Sequence, residues 1–150
     1  MKKTKCLAFA LPLALVAWPQ APTGAAPRCY PTERFKVLDN QLVRDTLTNL
    51  VWQRQASTTA MTWAAAQTYC ANAGFRLPTV KELNSIVDST VGVPGPTIDQ
   101  QAFPNTPAQA FWTSSWNRSS LASNPWLVRF DDGVSTLYRV EDTCYARCVR

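Results

Sequence analysis

A chain of 150 residues, 46% of them apolar, has room for one domain with a core of its own. It contains five cysteines and no histidine, which excludes serine–histidine and cysteine–histidine nucleophile pairs and zinc sites built on imidazole. The net charge is +5, but Lys2, Lys3 and Lys5 supply three of those charges at one end, so the charge supports no nucleic-acid partner.

Those lysines precede an uncharged, almost wholly apolar run, Cys6 to Trp18. Thirteen residues suit the apolar stretch of a signal peptide and fall short of the roughly 20 that a membrane helix needs. Pro12, Pro19 and Pro22 work against a continuous helix. Small residues follow at Thr23 to Ala26, as a signal peptidase requires. Residues 1–26 therefore read as a cleaved leader and 27–150 as one domain, exported to the periplasm or the medium. A lipid anchor fits poorly, because Cys6 comes before the apolar run and Cys29 follows Arg28. No later segment is apolar enough to span a bilayer, so no membrane contact is expected after cleavage. Loss of the leader takes the net charge from +5 to +2.

In the mature chain, Glu33 to Leu38 alternates as a strand, Asp39-Asn40 turns, and Leu42 to Arg44 returns as its hairpin partner. A second turn at Asp45 to Asn49 leads to a short strand at Val51 to Arg54. The period then changes. Thr62 is placed to cap a helix through Ala71, with Trp63, Ala66, Gln67 and Cys70 on one face and Gly74 just beyond its end. Thr79 and Glu82 form the pattern of a capping box, so a second helix is expected from Val80 to about Val87. Asp88 to Ala110 holds Pro94, Pro96, Pro104 and Pro107 and reads as a long irregular loop, pinned to the core by Ile98 and Phe103. Strands are expected at Phe111 to Trp116, Trp126 to Phe130, Val134 to Val140 and Tyr145 to Val149, with Asn117 to Asn124 a polar loop and Asp131-Asp132-Gly133 a hairpin turn. The order describes an α+β domain with a mostly antiparallel sheet, two helices and a long loop.

Removal of Cys6 with the leader leaves Cys29, Cys70, Cys144 and Cys148, an even set that reads as two disulfides in an exported chain. Along a strand, Cys144 and Cys148 would stand about 13 Å apart, against the roughly 7 Å that a disulfide allows. Each is therefore expected to reach Cys29 or Cys70. Cys70–Cys148 with Cys29–Cys144 is favoured, and the exchanged pairing stays open.

The ordered set Arg34-Phe35, Asp45-x-x-Thr48-x-Leu50-x-Trp52-Gln53-Arg54, Tyr69-Cys70, Arg76-Leu77-Pro78-Thr79-x-x-Glu82-Leu83, Ala102-Phe103-Pro104, Phe111-Trp112-Thr113-Ser114-Ser115, Phe130-Asp131-Asp132-Gly133 and Arg147-Cys148-Val149-Arg150 resembles a bacterial family, the Lcl C-terminal domain, named after a collagen-like adhesin. The resemblance spans nearly all of the mature chain. It implies a C-type-lectin-like fold related to formylglycine-generating enzymes, a place at the cell surface or in the periplasm, and, as in the adhesin, binding of sulfated glycans. The chain lacks the adhesin's collagen repeats and the calcium-ligand motifs of lectins; Trp116-Asn117 is followed by Arg118, a cation where a ligand would stand.

The candidate ligand-binding residues are Trp116 and Trp126, whose rings suit sugar faces, and Arg118 and Arg129, whose guanidinium groups suit sulfate or carboxylate. Against this stands a plainer role: buried tryptophans, and arginines, including Arg139, Arg147 and Arg150, on a solvated face beside Asp131, Asp132, Glu141 and Asp142. Arg76, Pro78, Thr79 and Glu82 read as a structural motif that starts a helix. No catalytic residue, metal or cofactor is expected. The function expected is an exported, non-catalytic domain that binds a glycan or another surface ligand through the long loop and the Trp116–Pro125 segment. A structural or protein-interaction module is the alternative, and an enzyme is the weakest reading.

Overall fold

The structure, a computed structural model, describes residues 34–119 and 122–150, with the side chains at 118, 119, 122 and 123 outside the description. The leader and Cys29 lie outside the described residues. A first antiparallel sheet carries strands β1 (Phe35–Val37), β2 (Leu42–Asp45) and β3 (Val51–Gln53) in that order. The Asp39 carboxylate makes the first turn by accepting the N–H groups of Gln41 (2.7 Å) and Leu42 (2.8 Å). In the second turn Asn49 takes a left-handed φ of 60°, which asparagine tolerates better than most residues. At the sheet's edge Arg34 holds the buried Asp45 through two hydrogen bonds of 3.1 and 2.7 Å and donates a third to Ser85 O at 2.8 Å. Burial alone would raise the Asp45 carboxyl, but Arg34 and the Leu47 N–H outweigh it and hold it below the usual carboxylate range.

Helix α1 (Trp63–Asn72) and helix α2 (Val80–Ser85) follow. The capping box on α2 is formed as the pattern implies: Thr79 Oγ1 accepts from Glu82 N at 3.2 Å, and Glu82 Oε2 accepts from Thr79 N at 2.7 Å. Thr62 precedes α1 but makes no side-chain cap. Residues 86–109 form the long loop, with Ile98 and Phe103 buried beneath it. A second antiparallel sheet holds β4 (Ala110–Ser119), β5 (Ala122–Arg129) and β6 (Ser135–Leu137) in that order.

Core packing explains why β4 and β5 do not alternate. Phe111 faces Val128 and Trp112 faces Leu127 across the ladder, and all four are fully buried. Phe111 and Val128 join the larger core, with Val43, Trp52, Leu83, Ile98 and Phe103. Trp112 and Leu127 join a second core on the other face, with Ala66, Leu77, Cys144, Ala146 and the Cys70 and Cys148 pair. A sheet covered on both faces carries apolar residues at consecutive positions.

Four expectations are corrected. Asn117 to Asn124, expected as a polar loop, is ladder among its described residues: the pairing runs on through Asn117↔Asn124 to Ser119↔Ala122, because backbone pairing does not depend on apolar side chains. The strand read over Val134 to Val140 shortens to Ser135–Leu137. The end of the chain is not a regular strand. Cys144 bridges Met61, Tyr145 bridges Phe111, and Val149 bridges both Trp52 and Arg76, so the segment changes partner instead of following one. Arg147, read as a solvated residue, is fully buried. Its Nη1 donates to Gln53 O (2.8 Å) and Arg54 O (2.6 Å), its Nη2 donates to Thr106 Oγ1 (2.6 Å), and its guanidinium lies 4.8 Å from the Phe103 ring centre.

Candidate functional site

The disulfide is Cys70–Cys148, with Cα atoms 5.4 Å apart. It is the favoured pairing, and it joins α1 to the terminal segment. The Cys29–Cys144 link involves a residue outside the described ones. Among the described residues Cys144 has no disulfide partner, and burial, then the Asp142 carboxylate, push its thiol up to about 12.

Trp116, Trp126 and Arg129, the candidate binding residues whose side chains are described, do not gather in one place. Trp116 stands across from Pro125 and shares its face; Trp126, one residue on, points to the opposite face. Both rings are half-buried. Arg129 is held by Asp131 (2.7 Å) and Asp132 (3.1 Å) at the far end of β5. The Arg118 side chain lies outside the described residues. The long loop is fastened to the body by Arg54, which donates to Gln101 O and Ala102 O, and by Arg147 at Thr106.

What the fold assembles instead is a groove between α1 and β4. Trp63, Gln67 and Ala71 follow each other at intervals of four along α1 and so form one stripe. At one end of that stripe the Trp63 ring meets Trp116 edge to face, with centres 4.8 Å apart, and the Trp63 indole N–H donates to Thr113 O at 2.8 Å. At the other end is a hollow of about 270 Å3 lined by Gln67, Ala71, Phe75, Arg76, Leu77 and Ser114. From Trp63 to Ala71 the helix rises about 12 Å, which sets the aromatic pair and the apolar hollow at opposite ends of one helix stripe.

The rim of the hollow carries an ion pair. Arg76 lies there with its guanidinium fixed by two bonds of 2.8 Å to Glu82. The Arg76 guanidinium, with Thr79 assisting and partial burial opposing, draws Glu82 down to about 2. Thr79 and Glu82 thus start α2 through the capping box, and Arg76, paired with Glu82, also lines the hollow. Arg150 lies over the Phe75 ring at 4.6 Å. Ser114 and Ser115 commit their hydroxyls to the backbone: Ser114 Oγ donates to Pro78 O at 3.2 Å, and Ser115 Oγ accepts from Val80 N at 3.0 Å.

Trp63, Gln67, Phe75 and Ser114 are not among the candidate binding residues of the sequence reading, which set Trp63 and Gln67 on one helix face with Ala66 and Cys70; the structure buries Ala66 and Cys70 and leaves Gln67 and Ala71 exposed, because the core covers only part of that face. Among the described residues no group of three or more His, Cys, Asp or Glu side chains is placed to hold a metal ion, and no helix is long and apolar enough to cross a membrane. A family model, the Lcl C-terminal domain, matches residues 41–150. No curated protein matches the chain.

Proposed function

This chain belongs to the Lcl C-terminal domain family, and from that premise we propose that it is an exported, non-catalytic binding domain whose ligand, a glycan or another cell-surface molecule, lies along the α1–β4 groove. The groove carries the reading: an open hollow of about 270 Å3 and a half-buried tryptophan pair lie along one stripe of α1 beside β4, and rings of that kind suit sugar faces. The Cys70–Cys148 disulfide supports export to an oxidising compartment, as does the leader-like first segment. A non-catalytic role is supported by the absence of histidine from the chain and by the engagement of the Ser114 and Ser115 hydroxyls with backbone groups.

The test is a glycan array of heparin-like and neutral oligosaccharides, probed with the mature protein and with Ala71→Trp. Ala71 is exposed, so the larger ring fills the hollow without entering the core. Ala71→Trp is expected to weaken binding by about tenfold or more, the loss of a contact worth roughly 1.4 kcal/mol. Trp116→Ala is expected to weaken it as well. Glycan binding that survives both changes would place the ligand elsewhere. Capture of a surface protein with no glycan bound would favour the protein-interaction alternative.

A further inference from the structure

We infer that the Cys70–Cys148 disulfide governs the groove: when it is reduced, α1 leaves the β4 face and the groove is lost while the rest of the fold persists. The consequence for ligand binding rests on the function proposed above; the release of α1 does not.

The inference comes from how unevenly α1 is held. Its fully buried residues are Ala66 and Cys70, and none of its residues belongs to the larger core. Its N-cap makes no side-chain hydrogen bond, its first turn has no acid and its last turn no base, so its ends are closed by backbone hydrogen bonds alone, such as Gly74 N to Ala71 O and Phe75 N to Cys70 O. A ten-residue helix of this kind is marginal without tertiary support. Apart from the disulfide to Cys148, α1 is held by Ala66 and Cys70 in the smaller core beside Trp112, by the Trp63 indole bond to Thr113 O and by the contact with Trp116. The other half of the disulfide is firmly placed. Cys148 O accepts from Gln53 N at 3.0 Å, Val149 exchanges backbone bonds with Arg76, and Arg147 is buried between β3 and the long loop. The covalent link therefore ties a weakly held element to a strongly held one. α2, by contrast, has its capping box and a fully buried Leu83, and does not depend on that link.

The chemistry is thiol–disulfide exchange with a dithiol reductant. A thiolate of the reductant attacks one sulfur and the other leaves as a thiolate. The second reductant thiol then displaces the first cysteine and closes a cyclic disulfide. Two electrons pass to the cysteine pair, two protons from the dithiol end on the freed thiols, and the dithiol is oxidised. Both cysteines are buried, so attack requires α1 to lift first. A ligand bridging α1 and β4 opposes that lift, and by linkage it slows reduction.

Hydrogen exchange read by mass spectrometry tests this on three samples: oxidised mature protein, the same protein after dithiothreitol, and a Cys70→Ala, Cys148→Ala double variant that leaves Cys29 and Cys144 in place. Amides from Gln67 to Ala71 are expected to exchange about a hundredfold faster or more once the link is gone, with the β4–β5 ladder unchanged. Unchanged α1 protection in both link-free samples would overturn the inference. So would parallel loss in α1 and the β4–β5 ladder, since release would then be global. The glycan array, repeated on oxidised and reduced protein, separates the two readings. Release of α1 with no glycan bound by the oxidised form counts against the function alone and still supports the switch. Glycan binding undiminished by reduction refutes the switch's control of the groove.

Discussion

Arg147→Met removes the charge from Arg147 and keeps most of its length. In the native fold the guanidinium satisfies the Gln53 and Arg54 carbonyls and the Thr106 hydroxyl, and no carboxylate is among its hydrogen-bond partners. Burial lowers its pKa to about 9, and it stays protonated at neutral pH. Two effects compete. Methionine spares the cost of burying a cation, which favours the variant. It also takes the Arg147 donor from two part-buried carbonyls and the buried Thr106 hydroxyl, at about 1–3 kcal/mol for each group left unrelieved. The rings of Phe103 and Phe111, 4.8 and 5.9 Å from the guanidinium, already temper the first cost, so the second effect wins. The variant is expected to be less stable by about 3 kcal/mol. Urea unfolding followed by tryptophan fluorescence measures it, and hydrogen exchange at Phe103 to Thr106 reports loosening of the loop that Arg147 holds. A variant as stable as the native protein would show that the three acceptors are not what the arginine serves.

Glu82 lies near 2, below the usual carboxylate range, so its contribution is present above about pH 4.5 and is lost as the pH falls toward 2. After allowance for solvent screening, Glu82→Gln is expected to cost about 1–2 kcal/mol at pH 7. Urea midpoints of the two proteins should converge between pH 5 and pH 2; a gap that persists at pH 2 would rule out the carboxylate as its source. Gly95 and Gly74 should separate sharply on replacement by alanine. A Cβ at Gly95 would sit 2.2 Å from Phe130 O and 2.3 Å from Thr97 N, both backbone atoms, so Gly95→Ala is expected to cost more than about 3 kcal/mol. Gly74 has φ +72° with open space around its Cβ position, so Gly74→Ala should cost only about 1 kcal/mol. Equal losses in thermal or urea unfolding would contradict the packing described for Gly95.

The features legible in the sequence are local ones. Thr79 and Glu82 stand three residues apart, and that spacing suffices to form the cap seen on α2. Asp39-Asn40 and Asp131-Asp132-Gly133 turn the chain where their residue types allow, with Gly133 at φ +78°. A distance argument along an assumed strand sets Cys144–Cys148 aside and leaves Cys70–Cys148 as the favoured of two open pairings. The pairing held although that segment proved to be a series of bridges. The ordered motifs pointed to the family whose model matches residues 41–150.

Tertiary structure alone decided burial and convergence. Arg147 and Arg129 look alike in sequence, yet one is enclosed by β3, the long loop and two aromatic rings and the other faces water beside Asp131. Trp116 and Trp126 are separated in the chain by a polar stretch that proved to be ladder, and that pairing turned their rings to opposite faces. The groove joins Trp63 to Trp116 and Gln67 to Ser114, residues about 50 positions apart. Cap and turn chemistry acts between neighbours in the chain and can be read from spacing. Burial depends on which distant segments cover a side chain, and no local pattern carries that information.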